Sequence, residues 1–431
     1  MFLVFCPLAG SPKAAHKFGL FLCWFLLGCA VLFPAEATGD YAAKTVKLVV
    51  YGPSDEIFIW WGHAAIAVEY ENGAAFTYDW GIFDYPGDDF LAAFFQNQVK
   101  YRSAKSYTRY DMESYFAEDR DIVVYTLDLD EAGKEAMIRY AEEDVLPENC
   151  WYDYDDFTNN CSTGIRDLID LGTGGQLRAW AENEKGRFTL RQHIRRFMAF
   201  HPWVDWYTSF LIGRMLDRET TAWDEMFLPV EVGRHIRDFS LTGTDGEKRK
   251  LVTHAELLNQ SKTRQSVLNS PPDELARSFI AGMFIALLFV WAARNDKHKR
   301  ALRITSGILQ SAAGLFFGLF GLAVLLAPVF AGNEYLAHNN NALFVNPVLL
   351  MAVPLGILSS LGKNIRLGKR TLPAEKALRV LWTYMLLAVL AALLLNLSPS
   401  LRQANGSPIV FTLPIVLAFV FGDIAVPFKK R

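Results

Sequence analysis

Two segments hold residue types that together could carry out nucleophilic acyl transfer. Cys161 lies in the motif NNCST (159–163), at the first turn of a helix that the sequence predicts over residues 160–171. The unpaired backbone N–H groups and the dipole of a helix start favour a thiolate over a thiol. His63 begins a predicted strand in the motif WWGHA (60–64). Because an imidazole can take the thiol proton and later deprotonate an acceptor, the pair predicts cysteine-dependent catalysis.

Two further residues are candidates for the groups that assist this pair. Asp79, on the return strand of the hairpin that His63 begins, could hold the imidazole in one tautomer, although an aspartate at a strand end also caps turns. Asn160 is the alternate orienting or oxyanion-binding group, with helix capping as its competing role. The backbone N–H of Cys161 is a further candidate oxyanion donor.

Other uses of Cys161 stay open at this point. A cysteine at a helix start is commonly a small buried apolar residue. Cys150 and Cys161 are the two cysteines of the predicted exported domain, so a disulfide between them is an alternative. No Cys/His cluster with metal-ligand spacing accompanies the pair, and the sequence predicts neither a metal nor a cofactor.

The elements predicted around these residues form an α+β domain over residues 41–274. The predicted strands cover 47–51, 64–70, 74–80 and 122–129. The second and third strands form a hairpin through the turn Glu71-Asn72-Gly73. The predicted helices cover 88–98, 131–145 and 160–171.

The remainder of the sequence predicts an all-α transmembrane domain over residues 275–431. Apolar residues make up 52% of the chain and charged residues 21%, a balance that favours membrane proteins. Five apolar runs are each long enough to cross a bilayer as a helix: 275–293, 302–331, 343–361, 378–397 and 408–426. Lys and Arg cluster after the first and third runs and at the C-terminus. The positive-inside rule therefore places the C-terminus in the cytoplasm and residues 41–274 outside it.

Residues 1–37 predict an export signal. Lys13 and Lys17 precede an apolar stretch, and Ala35-Glu36-Ala37 has the pattern of a cleavage site. An uncleaved N-terminal anchor and a lipoprotein cleavage box at Leu26-Leu27-Gly28-Cys29 are the alternatives, and all three put the following domain outside the cytoplasm. The net charge of −3, without a basic stripe, argues against nucleic acid as a partner and leaves the bilayer as the expected one.

Several residues are candidate lipid contacts. Aromatic and apolar residues recur at helical spacing over 197–215, which predicts either a packed helix face or an interfacial helix with Arg214 or Arg218 near a lipid phosphate. Asn339 and Asn341 lie at the outer end of a predicted span, where they form a polar loop or help to hold a headgroup. The candidate substrate-binding residues are Trp61, Trp80, Arg214, Asn339 and Asn341.

Three motifs and the five apolar runs make the sequence resemble the Lnb family of bacterial lipoprotein N-acyltransferases. The motifs are GHAA (62–65), YDWGIFD (78–84) and NNCST (159–163), and the resemblance covers nearly all of residues 41–426. In the membrane part it rests on Asn339, Asn341, Asn346 and Pro347. The resemblance implies a permuted papain-like fold of the NlpC type, with Cys161 as nucleophile and His63 as base. Peptidases and amidases share this fold type, so the fold by itself does not identify the reaction.

The resemblance also implies a cysteine-dependent acyltransferase of the bacterial inner membrane, with its catalytic domain in the periplasm. An acyl chain would move from a membrane phospholipid to Cys161, and then to the α-amino group of the lipidated N-terminal cysteine of a lipoprotein. A cell-wall peptidase or amidase would use the same two residues, and a phospholipase or thioesterase would use water as the acceptor. A non-catalytic membrane scaffold is the alternative from a different class.

Overall fold

The computed structural model describes residues 43–83, 93, 96, 98–243, 246–295, 300–367 and 370–422. The predicted export signal, most of the helix expected at 88–98 and the end of the fifth apolar run lie outside these residues. Within them a sheet-rich N-terminal part is followed by a helical C-terminal region, so the α+β prediction for the first part is confirmed.

Seven antiparallel strands form the main sheet. They are β1 (Ala43–Tyr51), β2 (His63–Tyr70), β3 (Ala75–Phe83), β4 (Tyr101–Tyr107), β5 (Ile122–Leu127), β6 (Trp151–Tyr152) and β9 (Val252–Asn259). Strands β7 (Ser240–Thr242) and β8 (Lys248–Lys250) form a separate small hairpin. Their spatial order is β6-β4-β3-β2-β1-β5-β9. The predicted hairpin is confirmed: β2 pairs with β3, and the N–H of Ala74 donates to the Asn72 side chain over 2.9 Å.

Helices cover both faces of this sheet. Because side chains alternate along a strand, β1 directs Leu48 to one face and Tyr51 to the other. The Leu48 face packs against α2 (Glu131–Asp144) and α3 (Cys161–Gly172). The Tyr51 face packs against α1 (Thr108–Ala117) through Tyr115. The sheet and α3 thus bring the predicted histidine strand and the predicted cysteine helix into one core.

Five short helices follow before the membrane part, and two of them replace the single helical face expected at 197–215. They are α4 (Gln176–Ala181), α5 (Leu190–Met198), α6 (Pro202–Leu211), α7 (Ala222–Glu225) and α8 (Pro229–Asp238). Pro202 is the first residue of α6, where the missing N–H costs no hydrogen bond, so a new helix begins there. Phe197 accordingly packs inside the first part, whereas Phe210 packs against the membrane helices.

The C-terminal region consists of α9 (Leu275–Asn295), α10 (Arg300–Phe330), α11 (Ala352–Ser360), the hairpin of β10 (Asn364–Leu367) and β11 (Arg370–Pro373), α12 (Ala374–Leu395) and α13 (Gly406–Phe421). Within the described residues, four segments are long and apolar enough to cross a membrane: Leu275–Arg294, Arg300–Phe330, Asn340–Ser360 and Ala374–Leu395. The third includes short 3₁₀ turns before α11, and α13 is a shorter apolar helix. Four of the predicted spans are therefore supported, while the count of five stays a prediction.

Helix α6 connects the two parts because its apolar side lies on the membrane helices. Phe210 is fully buried and contacts the rings of Phe316 and Phe320 on α10. The indole N–H of Trp206 donates to the hydroxyl of Ser278 on α9 over 3.0 Å. The position of the first part against the helices is thus held by packing and not by a single linker.

Asn339 and Asn341 hold the C-terminal end of α6. The Asn341 amide donates to the carbonyls of Ser209 and Phe210 over 3.1 and 3.0 Å, and the Asn339 amide donates to those of Phe210 and Leu211. The last carbonyls of a helix have no partner within the helix, so these amides supply one. A contact with a lipid headgroup, which the sequence suggested for both residues, stays a prediction.

We expect Asn341→Ala to destabilise the fold by about 1–3 kcal/mol, because it leaves the Ser209 carbonyl without a donor and the Asn405 amide without an acceptor. Asn341 is fully buried, and its own carbonyl oxygen accepts from Asn405 over 2.9 Å. Thermal unfolding in detergent measures the effect. The matched control is Asn149→Ala, which removes an exposed amide from a carbonyl of α2 that water can reach. Equal melting temperatures for the two variants would contradict this role of Asn341.

Candidate active site

The start of α3 leaves one backbone donor free beside the thiol. The Asn160 side chain accepts from the N–H groups of Ser162 and Thr163 over 2.8 and 2.9 Å, and the Thr163 hydroxyl closes a capping box. The amide nitrogen of Asn160 donates to the carbonyls of Asp156 and Phe227, so every polar atom of this side chain already has a hydrogen-bond partner. Among the described residues, the N–H of Cys161 has no acceptor. It is therefore available to an oxyanion at the sulfur.

His63 is buried at the first residue of β2 and is held by Asp79. Its Nε2 lies 3.0 Å from Oδ1 of Asp79, which is itself buried on β3. Ala65 on β2 pairs with Asp79 on β3, so Asp79 lies on the same face of the sheet as His63, which is two residues before Ala65 on β2. With Nε2 occupied, Nδ1 is the ring nitrogen left for a thiol, and Cys161 lies close enough to His63 that each residue shifts the pKa of the other. The three groups predicted from the sequence are thus brought together.

The electrostatics of the pair favour a thiolate and an imidazolium. Burial alone would lower the pKa of His63, but the hydrogen bonds and charges of Asp79 and Cys161 outweigh it and raise the pKa to about 10. Burial alone would raise the pKa of Cys161, but His63, the Ser162 hydroxyl and the N–H of Ala64 lower it below its usual value. A cysteine with a lowered pKa is a nucleophile at neutral pH.

Gly81 lies directly against the nucleophile. It occupies the left-handed region with φ of +83°, in a stretch of β3 where the register with β4 shifts between Asp79 and Ile82. A Cβ atom at Gly81 would lie 3.2 Å from the Cβ of Cys161, which is tighter than ordinary contact. Because Gly81 has no side chain, the side chain of Cys161 can pack directly against the backbone of the YDWGIFD motif.

We expect Gly81→Ala to remove most activity by displacing Cys161, beyond any loss of stability. The backbone penalty for alanine in the left-handed region is about 1–2 kcal/mol. Gly73→Ala is the matched control, since Gly73 has φ of +85° in the hairpin turn and nothing within 4 Å of an added Cβ. Melting temperature and the rate of Cys161 alkylation are measured for both. Equal alkylation rates in the two variants would contradict the packing argument.

A layer of aromatic and acidic residues behind His63 was not predicted from the sequence. Tyr51 stacks on Tyr115 with ring centroids 3.6 Å apart, and each ring lies 6.1 Å from that of His63. The Tyr51 hydroxyl donates to Asp111 over 2.7 Å. Burial, and then the charge of Asp79, raise the pKa of Asp111 to about 7. The alternation of β1 predicts that Tyr51 is buried. No pattern in the sequence near Tyr51 shows that α1 packs against it and supplies the carboxyl group of Asp111.

The disulfide alternative is wrong. Both Cys150 and Cys161 are free, and the Cys150 thiol is buried near the carbonyl of Pro147. Cys161 is partly exposed at the start of α3. Cys150 is therefore a natural control for chemistry at Cys161.

The two predicted tryptophans lie in packed surroundings. Trp80 is buried against α3, where a Cβ on Gly164 would lie 3.1 Å from its ring, and its indole N–H donates to Asp144 over 2.9 Å. Trp61 is half-buried beside Trp60, with ring centroids 6.2 Å apart. Trp80 thus holds the cysteine helix on the hairpin, and a substrate contact by either residue stays a prediction.

Arg214 lies in the 3₁₀ turn Arg214–Asp217 after α6. Its guanidinium reaches the side-chain oxygen of Asn340 over 3.4 Å. It lines a cleft whose wall also includes Phe157 and Thr158, from the loop that leads to Cys161.

A buried group of Glu225, Glu231 and His235 has ligand atoms within 4.8 Å of one another. Its carboxylates are already bound by basic side chains. Glu225 accepts from His193 and His235, and Glu231 accepts from arginines at 187, 196 and 234. Burial would raise the pKa of Glu225, but the bonds from these histidines hold it well below its usual range. We assign the group to an ion network that joins α5, α7 and α8.

The comparison with known families agrees with the resemblance noted in the sequence. Residues 33–196 match the family model of the Lnb N-terminal periplasmic domain. This range includes His63, Asp79 and Cys161. No curated protein and no solved structure matches the chain, so the permuted papain-like fold stays a prediction. Residues 33–196 are thus similar to the N-terminal periplasmic domain of the Lnb family, and apolar helices long enough to cross a membrane follow them.

Proposed function

We propose that this protein is a cysteine-dependent lipoprotein N-acyltransferase. The observation that carries the proposal is the placement of the Cys161 thiol beside the His63 imidazole, whose Nε2 is bonded to Asp79. The thiol also lies at a helix start with a free backbone N–H. The matched Lnb domain and the four apolar helices support an enzyme that works at a membrane. The donor in this proposal is a membrane phospholipid, and the acceptor is the N-terminal cysteine of a lipoprotein.

In the first step the Cys161 thiolate attacks the ester carbonyl of a phospholipid acyl chain. The N–H of Cys161 stabilises the tetrahedral oxyanion. The ester C–O bond then breaks, and the leaving oxygen takes a proton from the His63 imidazolium. The products are a lysophospholipid, a thioester on Cys161 and a neutral His63.

In the second step a neutral α-amino group attacks the thioester carbonyl. His63 accepts the proton from that nitrogen while the C–S bond breaks. An amide forms, and the thiolate and imidazolium are restored for the next cycle. Because one carbonyl carbon occupies the same site in both steps, one oxyanion donor serves both, and the kinetics should be ping-pong.

The location in this proposal is the periplasmic side of the inner membrane, with the C-terminus in the cytoplasm. Helix α6 supports it, since one side of this helix packs on the membrane helices and Trp203 on it is 75% exposed. Indole rings favour the headgroup region of a bilayer. Confinement of both lipid substrates to one leaflet raises their effective concentration at the cysteine.

The test is capture of the acyl intermediate together with analysis of lipoprotein N-termini. Full-length protein in phospholipid nanodiscs should carry a hydroxylamine-sensitive acyl group on Cys161, with a mass that reports the donor chain. Deletion of the gene should leave lipoproteins without the N-acyl chain. Release of free fatty acid without any acceptor requirement would instead indicate a phospholipase or thioesterase. Altered muropeptides with intact N-acylated lipoproteins would indicate a cell-wall peptidase or amidase.

A further inference from the structure

A cleft of about 850 Å³ lies where the first part of the chain meets two connections between the membrane helices. The α10–α11 connection contributes Tyr335 and His338, and the α12–α13 connection contributes Arg402. The opposite wall includes Thr158 and Trp223. This volume lies in the range of sites for small molecules, about 300–1,000 Å³. Cys161 does not line the cleft.

The cleft nevertheless adjoins the nucleophile. Thr158 precedes Cys161 by three residues, so their Cα atoms are at most about 11 Å apart. The Tyr335 hydroxyl donates to Asp155 over 3.0 Å, and Asp155 in turn accepts from the Thr158 hydroxyl over 2.8 Å. The α10–α11 connection is therefore hydrogen-bonded to the loop that precedes Cys161. A ligand in the cleft could place another of its groups at the sulfur.

Two guanidinium groups in the cleft have no carboxylate partner among the described residues. Four of the lining ions are paired: Asp224 and Arg218 with each other, Asp217 with Arg191, and Arg166 with Asp167. Arg214 has only the 3.4 Å contact with Asn340, and Arg402 is exposed. Glu334, also exposed, is the acid that remains. The cleft thus keeps an excess of positive charge between two parts of the chain.

The backbone at Arg214 is held close to the α10–α11 connection. The N–H of Gly213 donates to the carbonyl of Tyr335 over 2.9 Å, and that of Arg214 donates to the carbonyl of His338. His338 itself has φ of +51°, an uncommon conformation for a residue with a side chain. The position of the Arg214 guanidinium is therefore set by both parts of the chain.

We propose that this cleft binds the phosphate group of a phospholipid between Arg214 and Arg402. A guanidinium matches phosphate oxygens in geometry as well as in charge. The inference rests on the proposed function, because the lipid is its acyl donor, and it adds the contact by which a donor is selected. A phosphate in the cleft anchors the glycerol, so that an ester carbonyl reaches toward Cys161.

The binding test uses full-length protein with Cys161→Ala, so it does not depend on turnover. Phosphatidylglycerol retained after detergent exchange is counted by native mass spectrometry. Addition of Arg214→Gln and Arg402→Gln should weaken retention at least about tenfold, since the phosphate loses both of its charge-assisted contacts. The matched control is Arg109→Gln with Arg178→Gln, which removes two exposed arginines paired with Glu113 and Glu182. Equal retention in both double variants would overturn the proposal.

Two further arms identify the source of the phosphate and separate this inference from the proposed function. Inorganic phosphate at millimolar concentration should not displace the lipid; displacement would overturn the lipid as occupant and assign free phosphate. With active Cys161, the double variant should raise KM for phosphatidylglycerol while acylation from dioleoylglycerol, which has no phosphate, stays unchanged. If Cys161 is never acylated but lipid retention depends on the two arginines, the proposed function fails and the phosphate site stands.

Discussion

Replacement of Cys161 with alanine should reduce acyl transfer at least about 10³-fold and leave the fold intact. The sulfur is the atom that bonds to the acyl group. No other thiol in the described part of the chain lies at this site, since Cys150 is buried elsewhere near Pro147. The Cys161 side chain contributes little packing, because it is partly exposed. The measurements are transfer of a labelled acyl chain to a lipoprotein peptide, and mass analysis of the protein for a thioester.

The matched control for this change is Cys150→Ala. Cys150 is the other free cysteine among the described residues, and its removal should leave transfer and the Cys161 adduct unchanged. Both variants should elute and melt like the unaltered protein. A Cys161→Ala protein that still restores N-acylated lipoproteins in a deletion strain would mean that the chemistry takes place elsewhere or that the role is not enzymatic.

Asp79→Asn should lower the rate of acyl transfer by up to about 10⁴-fold, the loss found when the orienting carboxylate of a catalytic histidine is replaced with an amide. The Nε2 atom of His63 lies 3.0 Å from Asp79, and an asparagine amide in that place can select the wrong tautomer. The thiol then faces a nitrogen that already carries a proton. The decrease should appear in kcat, because Asp79 is buried and does not meet the substrate.

The same variant should change the pH dependence of thiol reactivity. Asp79 is one of the groups that raise the pKa of His63 to about 10, so its loss lowers that pKa. His63 is then less often protonated beside the sulfur, and the pKa of Cys161 rises. The alkylation profile of Cys161 with iodoacetamide should therefore move to higher pH, by about 1–3 units for a neighbouring charge.

The control for both effects is Asp128→Asn, which removes a carboxylate paired with Arg249 outside the site. It should leave the alkylation profile and kcat unchanged. If Asp79→Asn keeps the original alkylation profile, Asp79 does not act on the histidine, and the orienting role belongs to another group.

The hairpin and the cysteine helix could be predicted because their signals are local. The turn Glu71-Asn72-Gly73 lies between two β-rich runs, and the structure pairs β2 with β3 through it. Asn160 and Thr163 form the cap that the NNCST motif predicts. The sequence alone also predicted apolar segments long enough to span a membrane, since length and composition suffice for that.

Strands β4 and β9 were missed for a physical reason. β9 (Val252–Asn259) is an edge strand with mostly exposed residues, so it lacks the alternation that burial imposes. β4 (Tyr101–Tyr107) contains arginine, lysine and two serines, and it becomes a strand because β3 pairs with it. A strand that forms because of a partner distant in the chain cannot be predicted from the residues next to it.

The sequence by itself determined the chemical types of the site, the cap of its helix and the hairpin that carries His63 and Asp79. Only the tertiary structure decided that Gly81 leaves room for Cys161, that Tyr51 and Asp111 lie behind the histidine, and that helix α6 lies on the membrane helices. Local structure follows from propensities and caps that act within a few residues. The other contacts depend on how segments distant in the chain pack against each other, and no local sequence pattern predicts that packing.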